Sequence, residues 1–139
     1  MERSGALTQL PDMSRWSSIM LETAEAPLID EAELGQSLDV LGAERLVPIF
    51  HAFAATIMDE AWAIAAAVAS REPERARRLA HGLKGAAFNL SAIRLARAAE
   101  TLEKMEMPED GLPADAPSLA LMLAAARETG DWIARRFPE

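Results

Sequence analysis

The chain has 139 residues, half of them apolar, and a net charge of −8. That length suits one domain with one core, and a composition led by alanine, leucine and charged residues favours helices over strands. The acidic balance argues against general nucleic-acid binding, and the lack of cysteine excludes disulfides and thiolate metal sites. Met1–Leu10 has no basic start leading into an apolar core, and no run of about 18 apolar residues spans a bilayer. A soluble, cytoplasmic protein without a membrane partner is expected.

Residues 1–26 read as an extension. Trp16, Ile19, Met20 and Thr23 fall at i, i+3, i+4 and i+7, a spacing that allows one short amphipathic helix, with Trp16 as its anchor. The body, residues 27–139, begins at Pro27. Asp30 is a good N-cap with Glu33 three residues on, and Ile29 and Leu34 occupy the two staple positions. This helix stops at Gly42.

A second helix starts near Glu44, with Pro48 in its first turn, where a missing N–H does little harm. Its apolar stripe is Leu46, Ile49, Phe50, Phe53, Ile57, Ala61, Ile64 and Val68, over about 25 residues in steps of three and four. A third helix opens with Pro73 at its first position and buries Ala76, Leu79, Ala80, Leu83, Ala87 and Leu90. Ser91 breaks that pattern and can cap a fourth helix with a Leu95, Ala99, Leu102 stripe. Pro108, Gly111, Pro113 and Pro117 mark a loop. The last helix runs from about Ser118 to Arg136 with Leu119, Met122, Ala126, Ile133 and Phe137 inward, and Gly130 is its weak point. No strand pattern occurs. An all-α, up-and-down four-helix bundle with an additional N-terminal segment is expected.

The third helix carries the local conflict. His81, one of two histidines, is flanked by Gly82 and Gly85 inside an otherwise helical pattern, and interior glycine costs about 1 kcal/mol. Such conflicts mark functional sites. At about 100° per residue His81 points away from the core stripe, and its neighbours on that face are Arg77, Arg78, Lys84, Gly85 and Phe88. Gly85 lies on the histidine's own face and leaves it bare, whereas Gly82 points elsewhere, where it would allow tight packing. The segment from Arg71 to Lys104 carries +4 and the rest of the chain −12. A solvated helix face would account for the charge alone, but not for the bare patch. Neutral imidazole is a competent nucleophile near pH 7, and phosphoryl transfer needs positioning and charge neutralisation above all. Lys84 could hold phosphoryl oxygens, and Gly85 would let a partner's site close over the ring.

The run Ala80-His81-Gly82-Leu83-Lys84-Gly85 through Leu90-Ser91-Ala92, followed by Leu95 and Leu102-Glu103, resembles the signature of histidine phosphotransfer (HPt) domains of multistep two-component phosphorelays. The lead-in Leu28-Ile29-Asp30 to Leu46, then Phe53, also matches, so the resemblance covers about residues 28–105. It implies a four-helix bundle whose exposed histidine takes a phosphoryl group from one receiver aspartate and passes it to another. His81 would be the phosphoacceptor, Lys84 the stabilising cation and Gly85 the steric gap, with Arg77, Arg78 and Phe88 on the docking face. Partners would be receiver domains of a hybrid histidine kinase or of response regulators. The chain would be a monomer with no cofactor of its own, and Mg²⁺ would sit on the receiver. One position departs: the family's usual glycine ten residues after the histidine is Ser91, read here as the helix cap.

Other readings are weaker. A histidine kinase needs a nucleotide-binding domain, for which the chain has neither a phosphate-cradling loop nor the length, so no ATP-dependent kinase activity is expected. A helical adaptor that binds without phosphotransfer would explain the helices but not the glycines around His81. No metal site is expected, because His51 and His81 lie on different helices without paired carboxylates. His51 on the flank of the core stripe is read as structural, Asp59-Glu60 as a solvated pair, and Trp62 and Trp132 as packing residues.

Overall fold

A computed structural model describes residues 13–106, 112 and 116–139 of the chain, with side chains from Ser18 onward. Trp16 as an anchor and most of the proline-rich loop therefore fall outside the described residues. Among them are six helices and no strand: α1 (Met13–Glu25), α2 (Glu31–Leu41), α3 (Ala43–Ala69), α4 (Pro73–Asn89), α5 (Ile93–Lys104) and α6 (Pro117–Arg136). Helices α3 to α6 form the bundle: α4 packs on α3 and α5, and α6 closes the ring against α3 and α5. Helix α1 lies against α5 and α6, and α2 against α3.

Local chemistry sets most boundaries. Asp30 Oδ1 accepts the Glu33 N–H at 3.0 Å, and buried Ile29 and Leu34 close the staple. Gly42, at φ 82°, ends α2 and passes directly into α3, a left-handed geometry that glycine adopts without strain. Pro48 stands past the first turn of α3, not within it. Its ring forgoes the bond to the Glu44 carbonyl, and its exposed position leaves that end of the helix solvated.

The α3 stripe is buried from Leu46 through Phe50, Phe53, Ile57, Ala61, Ile64 and Val68, but Ile49 leaves it, 48 % exposed. Ile49 lies about 100° round the helix from Phe50, beyond the reach of a covering helix. Trp62 is likewise not a packing residue: it is 54 % exposed, about 100° from buried Ala61. Trp132 does pack, edge-on to Phe137 at 5.9 Å and tilted against Phe50 at 6.1 Å. Helix α3 also has the length and mean hydropathy (1.4) of a membrane span, although its apolar stripe faces the bundle.

His51 is structural. Its Nε2–H donates to the Phe137 carbonyl at 2.6 Å, tying the end of α6 to the start of α3. The helix runs unbroken through Gly130, where a Cβ would stand 3.8 Å from Ile57 Cγ2. These contacts, Phe137 at residue 51 and Gly130 at residue 57, set α3 and α6 antiparallel.

Ser91 does not cap α5. Its φ is 62°, its N–H bonds the Phe88 carbonyl at 3.1 Å, and the Ala92 N–H reaches the Ala87 carbonyl at 2.9 Å. That pattern is a Schellman motif ending α4, with Ser91 at the left-handed position where glycine is cheapest. A side chain there costs about 1–2 kcal/mol. The first residue before α5 is Ala92, which makes no side-chain cap. Ser91 is anchored instead: its Oγ–H donates to Glu33 Oε1 at 3.1 Å and its carbonyl accepts the Asp30 N–H at 2.8 Å. The turn after the histidine helix is thereby fastened to the start of α2. Arg71 repeats the motif at the end of α3, at φ 58°.

Candidate functional site

Helices α4 and α5 pack on each other and bury many small residues. Ala76, Ala80 and Ala87 of α4, and Ala96, Ala98 and Ala99 of α5, are all buried to 2 % exposure or less. Such side chains permit a close interhelical approach, so polar groups on the rim can touch across the seam.

His81 stands on that rim, its side chain 69 % exposed. Its Nδ1 lies 2.5 Å from Glu103 Oε2, and Lys84 Nζ lies 2.6 Å from Glu103 Oε1. One carboxylate thus holds both residues. A carboxylate only accepts hydrogen bonds, so the proton of the neutral ring sits on Nδ1 and the lone pair sits on Nε2. Nε2 makes no hydrogen bond among the described residues. Lys84 and Glu103 are each only 19 % exposed, which strengthens their pairing relative to a solvated pair. The hydrogen bond from Lys84 holds the Glu103 carboxyl below its usual range; burial opposes this, and the His81 bond adds to it. Glu103 is therefore a carboxylate throughout the neutral range.

Both glycines belong to the bare surface. A Cβ at Gly85 or at Gly82 would meet no atom within 4 Å, and both residues are exposed. The surface at Gly85 is open, and Gly82 serves no tight packing. Phe88, two turns beyond His81, is 38 % exposed. Arg77 is engaged by Glu74, whereas Arg78 is exposed and makes no ion pair among the described residues.

The residue overlooked in the sequence was Glu103, read only as half of a Leu-Glu pair. A signal was present. Leu102 points inward, so Glu103 lies about 100° round α5, an acid within the one basic segment of the chain.

The sequence model of the Hpt domain matches residues 33–129, a longer span at the C-terminal side than the motif alone covers. No curated protein and no solved structure matches the chain. The match takes in most of the protein, and the exposed histidine stands within it on a helical bundle. The chain belongs to the Hpt domain family, the phosphocarrying histidine domains of phosphorelays.

Proposed function

We propose that His81 accepts a phosphoryl group from a receiver-domain phosphoaspartate and relays it to the aspartate of a second receiver. The observation that carries this reading is the ring itself, exposed beside two bare glycines, with Nδ1 held by Glu103 and no hydrogen bond on Nε2 among the described residues. In the forward step the Nε2 lone pair attacks phosphorus, the bond to the aspartyl oxygen breaks, and the carboxylate leaves with the electron pair. No proton need be lost. The ring keeps its Nδ1 hydrogen and becomes cationic, and the Glu103 carboxylate neutralises that charge. The reverse step, toward another receiver, starts from this stabilised but labile phosphohistidine.

Lys84, one turn from His81, steadies the phosphoryl oxygens, exchanging its resting partner Glu103 for the new anion. Gly85 admits the receiver. Arg77, Arg78 and Phe88 form part of the docking face. The protein is a carrier without ATP-dependent kinase activity, a cytoplasmic monomer that needs no cofactor of its own; Mg²⁺ belongs to the receiver. Its partners are receiver domains of a hybrid kinase and of response regulators.

The test is transfer from a purified phospho-receiver without ATP. The wild type takes up label, and His81→Gln takes up none while keeping its fold and its affinity for the receiver. Label on the variant, or an absolute need for ATP, would refute the reading. Lys84→Ala should slow transfer or shorten the phosphohistidine lifetime without unfolding the bundle.

A further inference from the structure

The basic segment is less basic than its composition. Within it Arg77 is taken by Glu74, Lys84 by Glu103 and Arg94 by Glu128, while Lys104 reaches Glu100 only at 3.6 Å and Arg97 on α5 makes no ion pair among the described residues. On α4 and its leading turn, Arg71 and Arg78 make no ion pair among the described residues, and Arg75 reaches Glu72 only at 3.8 Å with both side chains about half exposed. A pair of that kind contributes little. On this side of the bundle the least encumbered arginines are thus Arg75 and Arg78 on α4 and Arg71 in the turn that leads into it.

Arg75 and Arg78 also share a side. Taking His81 as origin and about 100° per residue, Gly85, Arg78, Gly82 and Arg75 lie at about 40–120° in one sense. Lys84 and Arg77 lie in the other, toward Glu103 and α5. Arg75, Arg78 and the bare glycines therefore form a single strip on the flank of His81 that faces away from α5, with Arg71 in the turn just before the helix. Arg78 and Arg75 stand about 4.5 and 9 Å along the axis from His81, at 1.5 Å per residue, within a Debye length of about 10 Å at 0.1 M salt. Side chains on a helix lean toward its N-terminus, so the guanidiniums extend the strip away from the ring. Arg71 stands at the left-handed Schellman position, where glycine costs least, yet a long cation occupies it.

We infer that Arg71, Arg75 and Arg78 form an electrostatic docking strip for the anionic face of the receiver, setting the rate and orientation of encounter rather than the phosphoryl chemistry. This rests on the phosphorelay reading. The occupant follows from charge: an aspartyl phosphate is a dianion, and the carboxylates that hold the receiver's Mg²⁺ outweigh what that ion cancels, so the face that presents it is negative. The remainder of this chain carries a net −12, which on balance repels such a face. A positive strip leading to the nucleophile in an otherwise acidic protein steers an anionic partner to one approach.

The experiment measures kcat/KM for transfer to His81 across salt concentrations, using the fastest donor among receiver domains of the protein's own genome, each phosphorylated with acetyl phosphate. The wild-type rate should fall with salt. Arg71→Glu/Arg75→Glu/Arg78→Glu should lower it about tenfold or more at low salt and flatten the salt dependence, with the final yield of phosphohistidine unchanged. The milder Arg71→Gln/Arg75→Gln/Arg78→Gln should fall between, which covers a folding loss in the charge reversal. Arg45→Glu/Arg127→Glu/Arg135→Glu applies the same charge change at exposed sites away from the strip and should cost under about threefold. Equal losses in both charge reversals, or wild-type salt dependence in the strip variant, would overturn the strip and leave the relay reading standing. Failure of every donor to label wild-type His81 would overturn the relay reading itself.

Discussion

The two histidines sit on opposite seams of the bundle, and the seams are built differently. Along α3 and α6 the contact is made by large rings: Phe50 and Phe137 stand 5.1 Å apart with Trp132 against both, and His51 spends its Nε2 on a main-chain carbonyl. Along α4 and α5 six buried alanines let the helices pack closely, and His81 makes no hydrogen bond through Nε2 among the described residues. Bulky rings fill space and fix one end of the bundle, so the imidazole beside them becomes a tether. Small side chains bring two backbones close, so a carboxylate on one helix can orient a histidine on the other. The same residue type acquires two roles from the size of its neighbours.

Three substitutions separate the seams. Phe50→Ala removes the centre of the aromatic group and should destabilise by about 3–5 kcal/mol; a denaturant titration measures it, and the folded fraction should still accept phosphate on His81. Loss of acceptance at full folding would show that the seams are not independent. Glu103→Ala acts on the other seam. A hydrogen bond to a charged group contributes about 1.5–3 kcal/mol, so transfer should slow by about 10- to 100-fold with a modest loss of stability, and the ring nitrogens should show a mixture of tautomers by ¹⁵N NMR. The acid limb sharpens this. Because the Glu103 carboxyl is held below its ordinary value near 4.5, its contribution is present above that pH and disappears as pH falls through the lower folded value. The wild type should therefore lose stability below about pH 4.5 more steeply than Glu103→Ala, and parallel curves would remove the bridge from the account. Gly130→Ala is the smallest change. The Cβ would make ordinary contact with Ile57 at 3.8 Å, and relief of helix-interior glycine should raise stability by up to about 1 kcal/mol, read as a higher Tm with unchanged transfer.

The departures from expectation share a pattern. The glycine-to-serine change at residue 91 suggested a cap, since serine caps helices well; the structure places it in a Schellman turn with φ 62°. The turn tolerates it because Glu33 and Asp30 of a distant segment hold its hydroxyl and carbonyl. Ile49 and Trp62 satisfied or bordered the apolar period of α3 yet face solvent. A helical period marks which residues share a face, but the width of the buried stripe is set by the helices that cover it.

What the sequence by itself determined is what lies within single helices: the α2 cap and staple, the proline start of α4, the inward residues of α6, and the outward His81 with Gly85 on its own face. These follow from a fixed rise and rotation per residue, which hold in any fold. The tertiary structure alone decided what crosses between helices. Glu103 meets both His81 and Lys84 only because α4 and α5 settle at one axial offset and one rotation, and alanine packing at their seam sets both. The proton on Nδ1, and with it the nitrogen free to react, depends on that contact.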